Sequence, residues 1–485
     1  MRLNRREFMH VTGAGALGFA FWGASCAIDP VSGRRELMLV SEDQEVQLGR
    51  QTDRQVIQEY GIYDDPVLTD YINDLCQRMA KVSHRRQLEY HFKILDAAVV
   101  NAFAAPGGYI YFTRGILAYL NSEAELAGVM GHEMGHITAR HSAEQLSRAQ
   151  LAQVGLGVGM IFSDTFRALG ELAQLGTQML FLKFSRDNER EADDLGVEYA
   201  VKSGYDARQL AEFFETLEGM RSSSDRTGLP SWFSTHPNPE DRQGAVVRRA
   251  AEWEQTLGVK QAKVNREMYL KRIDGLVFGE NPKEGYVEDN VFYHPGLRFQ
   301  FPVPSKWTLK NTPKVVQMVN AQKDALLLFS ISSASSPKEG AQAFVSKNQA
   351  SVIQSGGASV NGLPAYQLLS QVKSGDGVIR VLSYFIQKDN RVYVFHGFTA
   401  VNRFDRYRTT FVNTMERFRA LTDAKRLNVK PARIRVLSTR STGTLRQALK
   451  AVDVPEAELK ETALLNGKGL DDRVAAKTPV KIISK

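Results

Sequence analysis

The stretch of residues 121–146, NSEAELAGVMGHEMGHITARHSAEQL, decides how the first part of this chain folds. It contains no proline, opens with an Asn-Ser pair that can cap a helix, and repeats apolar residues at helical spacing, so it predicts an α-helix. Four residues of a helix turn through about 400°, so the side chains of His132 and His136 emerge within roughly 40° of each other. Both imidazoles can therefore bind one metal ion. Glu133 lies beside the same face and can reach a water on that ion without displacing it.

A catalytic zinc ion takes three protein ligands and leaves one position for water, so a third ligand must come from elsewhere in the chain. The helical stretch 184–200, FSRDNEREADDLGVEYA, is rich in acidic residues. Glu189 and Asp193 are four residues apart and share a helix face, so one can bind the metal while the other holds a ligand histidine. Spacing alone does not decide which does which. Glu191 lies about 200° around the helix from Glu189 and is expected to point elsewhere.

Residues 90–117, YHFKILDAAVVNAFAAPGGYIYFTRGIL, carry β-branched and aromatic runs on both sides of Ala-Pro-Gly-Gly. This pattern predicts a strand, a tight turn and a second strand. An extended peptide can pair with the edge of the strand at 101–104, which makes Asn101 and Phe103 candidate substrate-binding residues. The alternative is that this hairpin is only structural.

The composition and length predict a globular protein with several domains. The chain has 485 residues, of which 43% are hydrophobic and 24% charged, and this is too long for one ordinary core. Amphipathic helices dominate up to about residue 271, and a cluster of Gly, Asn, Pro and acidic residues at 275–290 marks a domain boundary. Short β-rich runs with two helical stretches follow at 286–423 and predict an α+β, sandwich-like domain of unknown role. A linker at 424–431 leads to a small unit at 432–485.

The first 25 residues predict an export signal. Arg5 and Arg6 precede a short apolar stretch that ends in small residues, and the pair resembles a twin-arginine motif. The sequence GASC resembles a lipoprotein cleavage box, so Cys26 is the predicted lipidation site, with an ordinary thiol as the alternative. Either alternative places the mature protein outside the cytoplasm. Cys76 then lacks a partner, and no disulfide framework is expected.

The net charge of +8 suits an anionic membrane or cell-wall surface. Aromatic and basic residues do not alternate as in proteins that bind single strands, so we expect no nucleic acid partner. The apolar segment 151–184 contains no run long enough to span a bilayer. It predicts either a mobile cover over the site or a buried helical hairpin.

Taken together, HEMGH and the later Glu189-Arg190-Glu191-Ala192-Asp193 resemble the HtpX and CAAX-prenyl-protease group of gluzincin zinc metallopeptidases. The likeness covers roughly residues 26–270 and is nearest to the exported bacterial branch of lipoprotein and beta-barrel-assembly-enhancing proteases. It implies a mainly α-helical (α+β) zincin peptidase domain at 26–274 with a small β-hairpin or sheet. It also implies one zinc ion per chain. The implied roles are His132, His136 and Glu189 as zinc ligands, Glu133 as catalytic general base, and Asp193 as the residue that holds a ligand.

The same resemblance gives a role to the stretch STHPNPEDR, residues 234–242. It implies that His236 approaches the zinc ion as a catalytic residue, either by stabilising the oxyanion or by occupying the position of the water in a resting state. We assign Arg242, in the same stretch, to substrate binding. The remaining histidines receive no role; they include His84, His91, His141, His294 and His396.

Residues 432–485 resemble a LysM module of βααβ type, although Ser441-Thr442-Gly443-Thr444 stands where a Gly-Asp pair is expected. Peptidoglycan binding and a purely structural role both stay open for this unit. The sequence as a whole predicts a zinc-dependent endopeptidase of the bacterial cell envelope or periplasm, anchored to a membrane by a lipid on Cys26. Its expected substrates are misfolded or unassembled envelope polypeptides. The alternative function is a non-catalytic assembly or cell-wall-binding factor that retains a structural zinc site.

Overall fold

A computed structural model describes residues 26–28, 30–31, 33, 35–147, 184–223, 232–236, 241–374 and 377–484. The chain forms several domains: a helical N-terminal region that contains the HEMGH motif and a large β-rich domain after it. The predicted export signal and all but the last residue of the apolar segment 151–184 lie outside the described residues. Within the described ranges, no helix is long and apolar enough to cross a membrane.

The N-terminal region is built mainly from helices. The first, α1 (Glu42–Tyr60), begins where the Ser41 side chain accepts a hydrogen bond from the backbone of Gln44, and it ends at Gly61 with a φ of +71°. Serine at the start and glycine at the end are residue types that favour these positions of a helix. The other helices of this region are α2 (Pro66–Ala80), α3 (Arg114–Tyr119), α4 (Glu123–Thr138), α5 (Arg186–Lys202), α6 (Gln209–Ser223), α7 (Trp232–Thr235), α8 (Arg242–Leu257) and α9 (Arg266–Ile273).

Two small sheets accompany these helices. A hairpin of β1 (Cys26–Ile28) and β2 (Arg35–Leu37) opens the described chain. The second sheet has the order β3-β5-β4, in which β3 (His91–Leu95) is parallel to β5 (Tyr109–Thr113) and β4 (Ala102–Ala105) is antiparallel to it. The tight turn between β4 and β5 has positive φ at Gly107 and Gly108. The predicted strand, turn and strand are therefore present, and β4 lies at the edge of its sheet.

The β-rich domain combines two sheets around one core. The first is a seven-stranded antiparallel sheet and the second has four strands. Phe301 of the smaller sheet, Phe329 and Phe395 of the larger one, and Phe411 of a covering helix share this core. In spatial order, the strands of the larger sheet are β12 (Ser351–Val360), β13 (Leu363–Ser374), β14 (Gly377–Lys388), β15 (Arg391–Ala400), β11 (Ala325–Ser332), β10 (Val315–Asn320) and β9 (Trp307–Asn311). Those of the smaller sheet are β16 (Arg419–Ala420), β8 (Phe299–Pro302), β7 (Val291–His294) and β6 (Tyr286–Glu288). The helices of this domain are α10 (Pro337–Asn348) and α11 (Phe404–Met415).

The C-terminal unit packs on the helical region instead of standing apart from it. Ile434 and Leu465 join the main hydrophobic core of that region. The buried ammonium of Lys481 donates to the backbone oxygens of Ala118 and Leu120, at 2.7 and 2.8 Å, where α3 ends. The predicted linker contains the short helix α12 (Ala424–Leu427). The unit itself has β17 (Arg433–Ser438), β18 (Gly443–Thr444), α13 (Leu445–Lys450), α14 (Leu459–Leu465), β19 (Arg473–Val474) and β20 (Pro479–Ser484).

The two chain crossings to and from the β-rich domain run side by side. The backbone of Gly275 donates to Ile434, and Ile434 donates back to Leu276, both at 2.8 Å. The β-rich domain is therefore an insertion between the helical region and its C-terminal unit. Sequence analysis predicts a linear series of units here, because this pairing joins segments about 160 residues apart and has no local signature.

Candidate metal centre and active site

Two glycines allow α5 to cross α4 at close range. A Cβ added to Gly131 would stand 2.7 Å from the backbone oxygen of Gly196, and one added to Gly135 would stand 2.9 Å from Cα of Ala192. Each glycine costs a helix interior up to about 1 kcal/mol relative to alanine, so close packing is the physical reason for their presence. The crossing brings the first turns of α5 beside the HEMGH motif.

Four side chains converge at this crossing and form a cluster that can hold a metal ion. They are His132, His136, Glu189 and His236, all fully buried, and no other such cluster occurs among the described residues. Nε2 of His132 lies 3.1 Å from Nε2 of His136 and 3.2 Å from Nδ1 of His236. The Glu189 carboxylate lies 3.0 Å from Nδ1 of His236 and 3.5 to 3.6 Å from the other two rings.

These separations fit a tetrahedral zinc site. Ligands at about 2.0–2.1 Å from zinc stand roughly 3.3–3.4 Å from one another at the corners of a tetrahedron. Five of the six separations lie between 3.0 and 3.6 Å, on both sides of that value. The donor set of three imidazoles and one carboxylate is also one that zinc accepts.

Spacing left open which of Glu189 and Asp193 binds the metal. In the structure Glu189 faces the cluster, and Asp193 faces the outer nitrogen of His132. Oδ1 of Asp193 lies 2.9 Å from Nδ1 of His132. Two hydrogen bonds from Arg242 to Asp193, of 2.7 and 2.8 Å, hold the carboxylate in place. A carboxylate in this position orients the imidazole and raises its basicity toward a metal.

The buried position of Arg242 does not fit the substrate-binding role that the sequence analysis predicts. Its side chain is only 2% exposed, and its guanidinium lies 4.0 Å from the ring centre of Phe214 while it pairs with Asp193. The guanidinium therefore points into the protein and not toward a groove. The physical reason is the buried carboxylate pair of Glu189 and Asp193, which needs a cation to balance it.

The position of Phe103 does not fit its predicted role in substrate binding either. Its ring is buried and stacks on Tyr111 at 5.0 Å, with Tyr60 of α1 at 6.1 Å. Side chains alternate along a strand, so the ring of Phe103 faces α1 while its neighbour Ala102 joins the core on the side of α4. Asn101, the other residue of this strand predicted to bind substrate, has a buried Oδ1 with no hydrogen-bond partner in the structure.

Glu133 is buried beside the cluster and its carboxylate makes no hydrogen bond. Neither of its carboxylate oxygens has a hydrogen-bond partner, and one lies 3.7 Å from Nε2 of His236. Burial raises the pKa of this carboxyl group. For Glu189, burial acts in the same direction, but the charge of His236 and hydrogen bonds from His136 and His236 hold its pKa well below the usual value. The two glutamates therefore have opposite environments, as expected for a proton acceptor and a ligand.

Sequence analysis missed His141 and Glu191. Nδ1 of His141 lies 2.9 Å from Nδ1 of His136, and Nε2 of His141 lies 3.2 Å from Oε2 of Glu191. On a continuous helix, five residues turn through about 500° and would place His141 some 140° away from His136. Arg140 adopts a φ of +53° just after α4 and turns the chain back. A left-handed turn at an arginine has no sequence signal, so the contact was not predictable from spacing.

Two histidines of α4 and a buried glutamate of α5, with the unpaired carboxylate of Glu133 beside them, form an arrangement typical of metalloproteases. Residues 66–250 match the sequence profile of peptidase family M48, so this region of the chain is similar to that family. The match covers both α4 and α5. We therefore assign the candidate metal centre to the part of the chain that is similar to M48 peptidases.

Individual relatives agree with this assignment. The beta-barrel assembly-enhancing protease of Escherichia coli K12 is 33% identical over 220 residues, which are 44% of this chain and 45% of the relative. The mitochondrial metalloendopeptidase OMA1 of Schizosaccharomyces pombe is 28% identical over 49% of this chain and 68% of the relative. The chain thus spans about half the length of the bacterial relatives that it matches. The solution structure of the cyanobacterial PsbP protein from Synechocystis sp. PCC 6803 is similar over 27% of this chain and 91% of its own, at 19% identity and a TM-score of 0.24.

Proposed function

We propose that this protein is a zinc-dependent endopeptidase of the bacterial cell envelope that hydrolyses misfolded or unassembled envelope proteins. The observation that carries the proposal is Glu133, a buried carboxylate with two unpaired oxygens beside a cluster of zinc-type ligands. An unpaired buried carboxylate is costly, so its position needs a purpose. The substrate class rests on bacterial relatives named for the enhancement of beta-barrel assembly.

In this mechanism His132, His136 and Glu189 hold one zinc ion. When bound there, zinc would supply activation of a water molecule and polarisation of the scissile carbonyl group. Glu133 accepts the proton of the attacking water and then donates it to the leaving amine. Asp193, held by Arg242, keeps the His132 ring in the orientation that binding requires.

The substrate backbone is proposed to pair with the edge of β4. This strand is paired only on its β5 side among the described strands, and it packs on α4. Main-chain pairing with an edge strand would hold an extended polypeptide irrespective of its side chains. Asn101, just before β4, offers its unpaired amide oxygen to such a chain. That lack of side-chain selection suits an enzyme for misfolded proteins.

His236 is proposed to act as a fourth ligand in a resting state. Its Nδ1 lies within the ligand cluster, and the indole of Trp232 stacks on its ring at 4.3 Å because the two residues lie one helical turn apart. A fourth protein ligand leaves no position for water. Release of His236 would then open the site.

Replacing His236 with Ala is therefore expected to increase hydrolysis of an unfolded polypeptide roughly 5- to 30-fold, which corresponds to about 1–2 kcal/mol. The rate would be measured at saturating zinc, with metal content determined for each preparation. His91→Ala, a histidine on β3 outside the cluster, is the matched control and should keep the original rate. A decrease for His236→Ala would instead show that this histidine supports the transition state.

The location and further partners are part of the same proposal. A lipid on Cys26 would anchor the enzyme to a membrane of the envelope, and the C-terminal unit is a candidate for contact with peptidoglycan. The alternative is a non-catalytic assembly or cell-wall-binding factor with a structural zinc site. Such a site has no use for a free base, so the environment of Glu133 favours the enzyme.

The proposal is tested by removing and restoring the metal. Purified protein stripped with a chelator should lose cleavage of a chemically unfolded protein, and zinc at one ion per chain should restore it, whereas magnesium should not. If the zinc-loaded protein and His236→Ala both bind zinc but cleave no polypeptide, the binding-factor alternative is correct.

A further inference from the structure

We propose that His141 is a positioning residue for the metal ligand His136 and that Glu191 holds His141 in place. The inference rests on the proposed zinc site. It concerns Nδ1 of His136, the ring nitrogen that points away from the cluster. The three side chains form a continuous chain of contacts, 2.9 Å between the two rings and 3.2 Å from His141 to the carboxylate.

The chemistry of the imidazole ring fixes the direction of both hydrogen bonds. Nε2 of His136 faces the cluster, 3.1 Å from Nε2 of His132, so a metal is bound through that nitrogen. Nδ1 of a neutral ligand imidazole then carries the hydrogen and needs an acceptor. Nδ1 of His141 is in position to accept it. The hydrogen of His141 must therefore sit on its Nε2, which faces the carboxylate of Glu191.

Burial of His136 and His141 prevents water from replacing the hydrogen bond between their rings. His141 is 1% exposed, and the ring of Phe184 stacks on His136 at 4.0 Å with His141 next to it at 6.0 Å. Only the last member, Glu191, reaches solvent, with 39% of its side chain exposed. A buried hydrogen bond that cannot be replaced by water contributes more than an exposed one.

The two ligand histidines of α4 are thus supported in different ways. His132 donates directly to Asp193, a carboxylate fixed by Arg242. His136 donates to a second histidine, which passes the interaction to a carboxylate at the surface. Loss of such a partner typically weakens metal binding by about 10- to 100-fold, because the ligand ring loses its orientation and its preferred tautomer.

Two substitutions at His141 separate positioning from packing. Oδ1 of asparagine is attached to Cγ, as is Nδ1 of histidine, so His141→Asn keeps an acceptor for His136. The amide group of glutamine ends where Nε2 of histidine lies, so His141→Gln reaches Glu191 but not His136. Asparagine is one methylene smaller than glutamine and leaves the larger cavity, so a pure packing effect would weaken the asparagine variant more, which is the opposite of the order expected from positioning.

The measurement is zinc affinity of the full chain, by competition with a chelating dye, together with the zinc dissociation rate. His141→Gln is expected to bind zinc about 10- to 100-fold more weakly and to release it faster, whereas His141→Asn stays within about 3-fold of the original protein. Thermal unfolding of the metal-free variants shows whether both fold. Glu191→Ala, at a partly exposed position, provides a second variant with an expected loss of about 3-fold.

Equal zinc affinities for His141→Asn and His141→Gln would overturn the inference, and so would a loss confined to the asparagine variant. If both variants fail to fold, an unchanged affinity of Glu191→Ala would overturn it and a weaker affinity would support it. Zinc binding by the unsubstituted protein distinguishes failure of this inference from failure of the proposed function. A chain that binds no zinc at all refutes both, whereas tight zinc binding that His141→Gln leaves unchanged refutes only the role of His141.

Discussion

Glu133→Gln should reduce peptide hydrolysis by about 100- to 10,000-fold while zinc stays bound. The amide has nearly the same size and shape as the carboxylate, but it cannot take a proton from water. Glu133 is not one of the four clustered ligand residues, so its replacement leaves the metal donors unchanged. The carboxylate also makes no hydrogen bond in the structure, and its loss should therefore cost the fold little.

The test compares initial rates on an unfolded protein substrate and the zinc content of each preparation. Glu123→Gln is the matched control, since Glu123 is a buried glutamate on the same helix that lies at the end remote from the cluster and pairs with Arg78. Its rate should stay within a few-fold of the original. If Glu133→Gln cleaves as fast as the original protein, the proposed mechanism is wrong.

Glu45→Gln should destabilise the peptidase domain by about 3–5 kcal/mol, the usual effect of removing one partner from a buried ion pair. Glu45 of α1 is 2% exposed and balances two buried arginines, accepting from Arg85 at 2.8 Å and from Arg140 at 2.9 Å. Arg85 also donates to the backbone oxygen of Ile137, near the end of α4. Without the carboxylate, two buried guanidinium groups lose their closest anionic partner where α4 ends.

The effect should be visible as faster amide hydrogen exchange in α4, by about 100-fold or more for a loss of this size, together with a lower denaturant midpoint. Glu42→Gln provides the control, because this glutamate faces the same Arg85 at 3.8 Å but its side chain is 58% exposed. An exposed pair contributes at most about 1 kcal/mol. Equal destabilisation by both variants would show that burial is not the cause.

Much of the site was predictable because its first part is local. His132, Glu133 and His136 lie within five residues of one helix, and their relative directions follow from helical geometry alone. The close approach of another element to Gly131 and Gly135 was also predictable, since glycine in a helix interior has a cost that needs a reason. The identity of that element, α5, was not, because nothing in the spacing says where a helix lies in space.

Residues at a distance in the sequence were harder to assign. Arg242 seemed available to a substrate, but two buried carboxylates require its charge. Phe103 seemed to line a groove, but strand alternation directs its ring toward α1. His141 had no predicted role, because a single left-handed residue at Arg140 decides where its ring lies.

By itself, the sequence determined the helical character of the N-terminal region, the β-rich character of the domain after it, and the pair of histidines with a glutamate between them. Periodicity, capping and turn chemistry are local, and they act over a few residues. Spacing left open which of Glu189 and Asp193 faces the metal cluster; the structure places Glu189 there and Asp193 beside His132, in agreement with the family resemblance. The tertiary structure alone decided that His141 lies against His136 and that the C-terminal unit packs on the helical region. Each of these depends on contacts between segments that meet only when the core closes, and on the need to pair every buried charge.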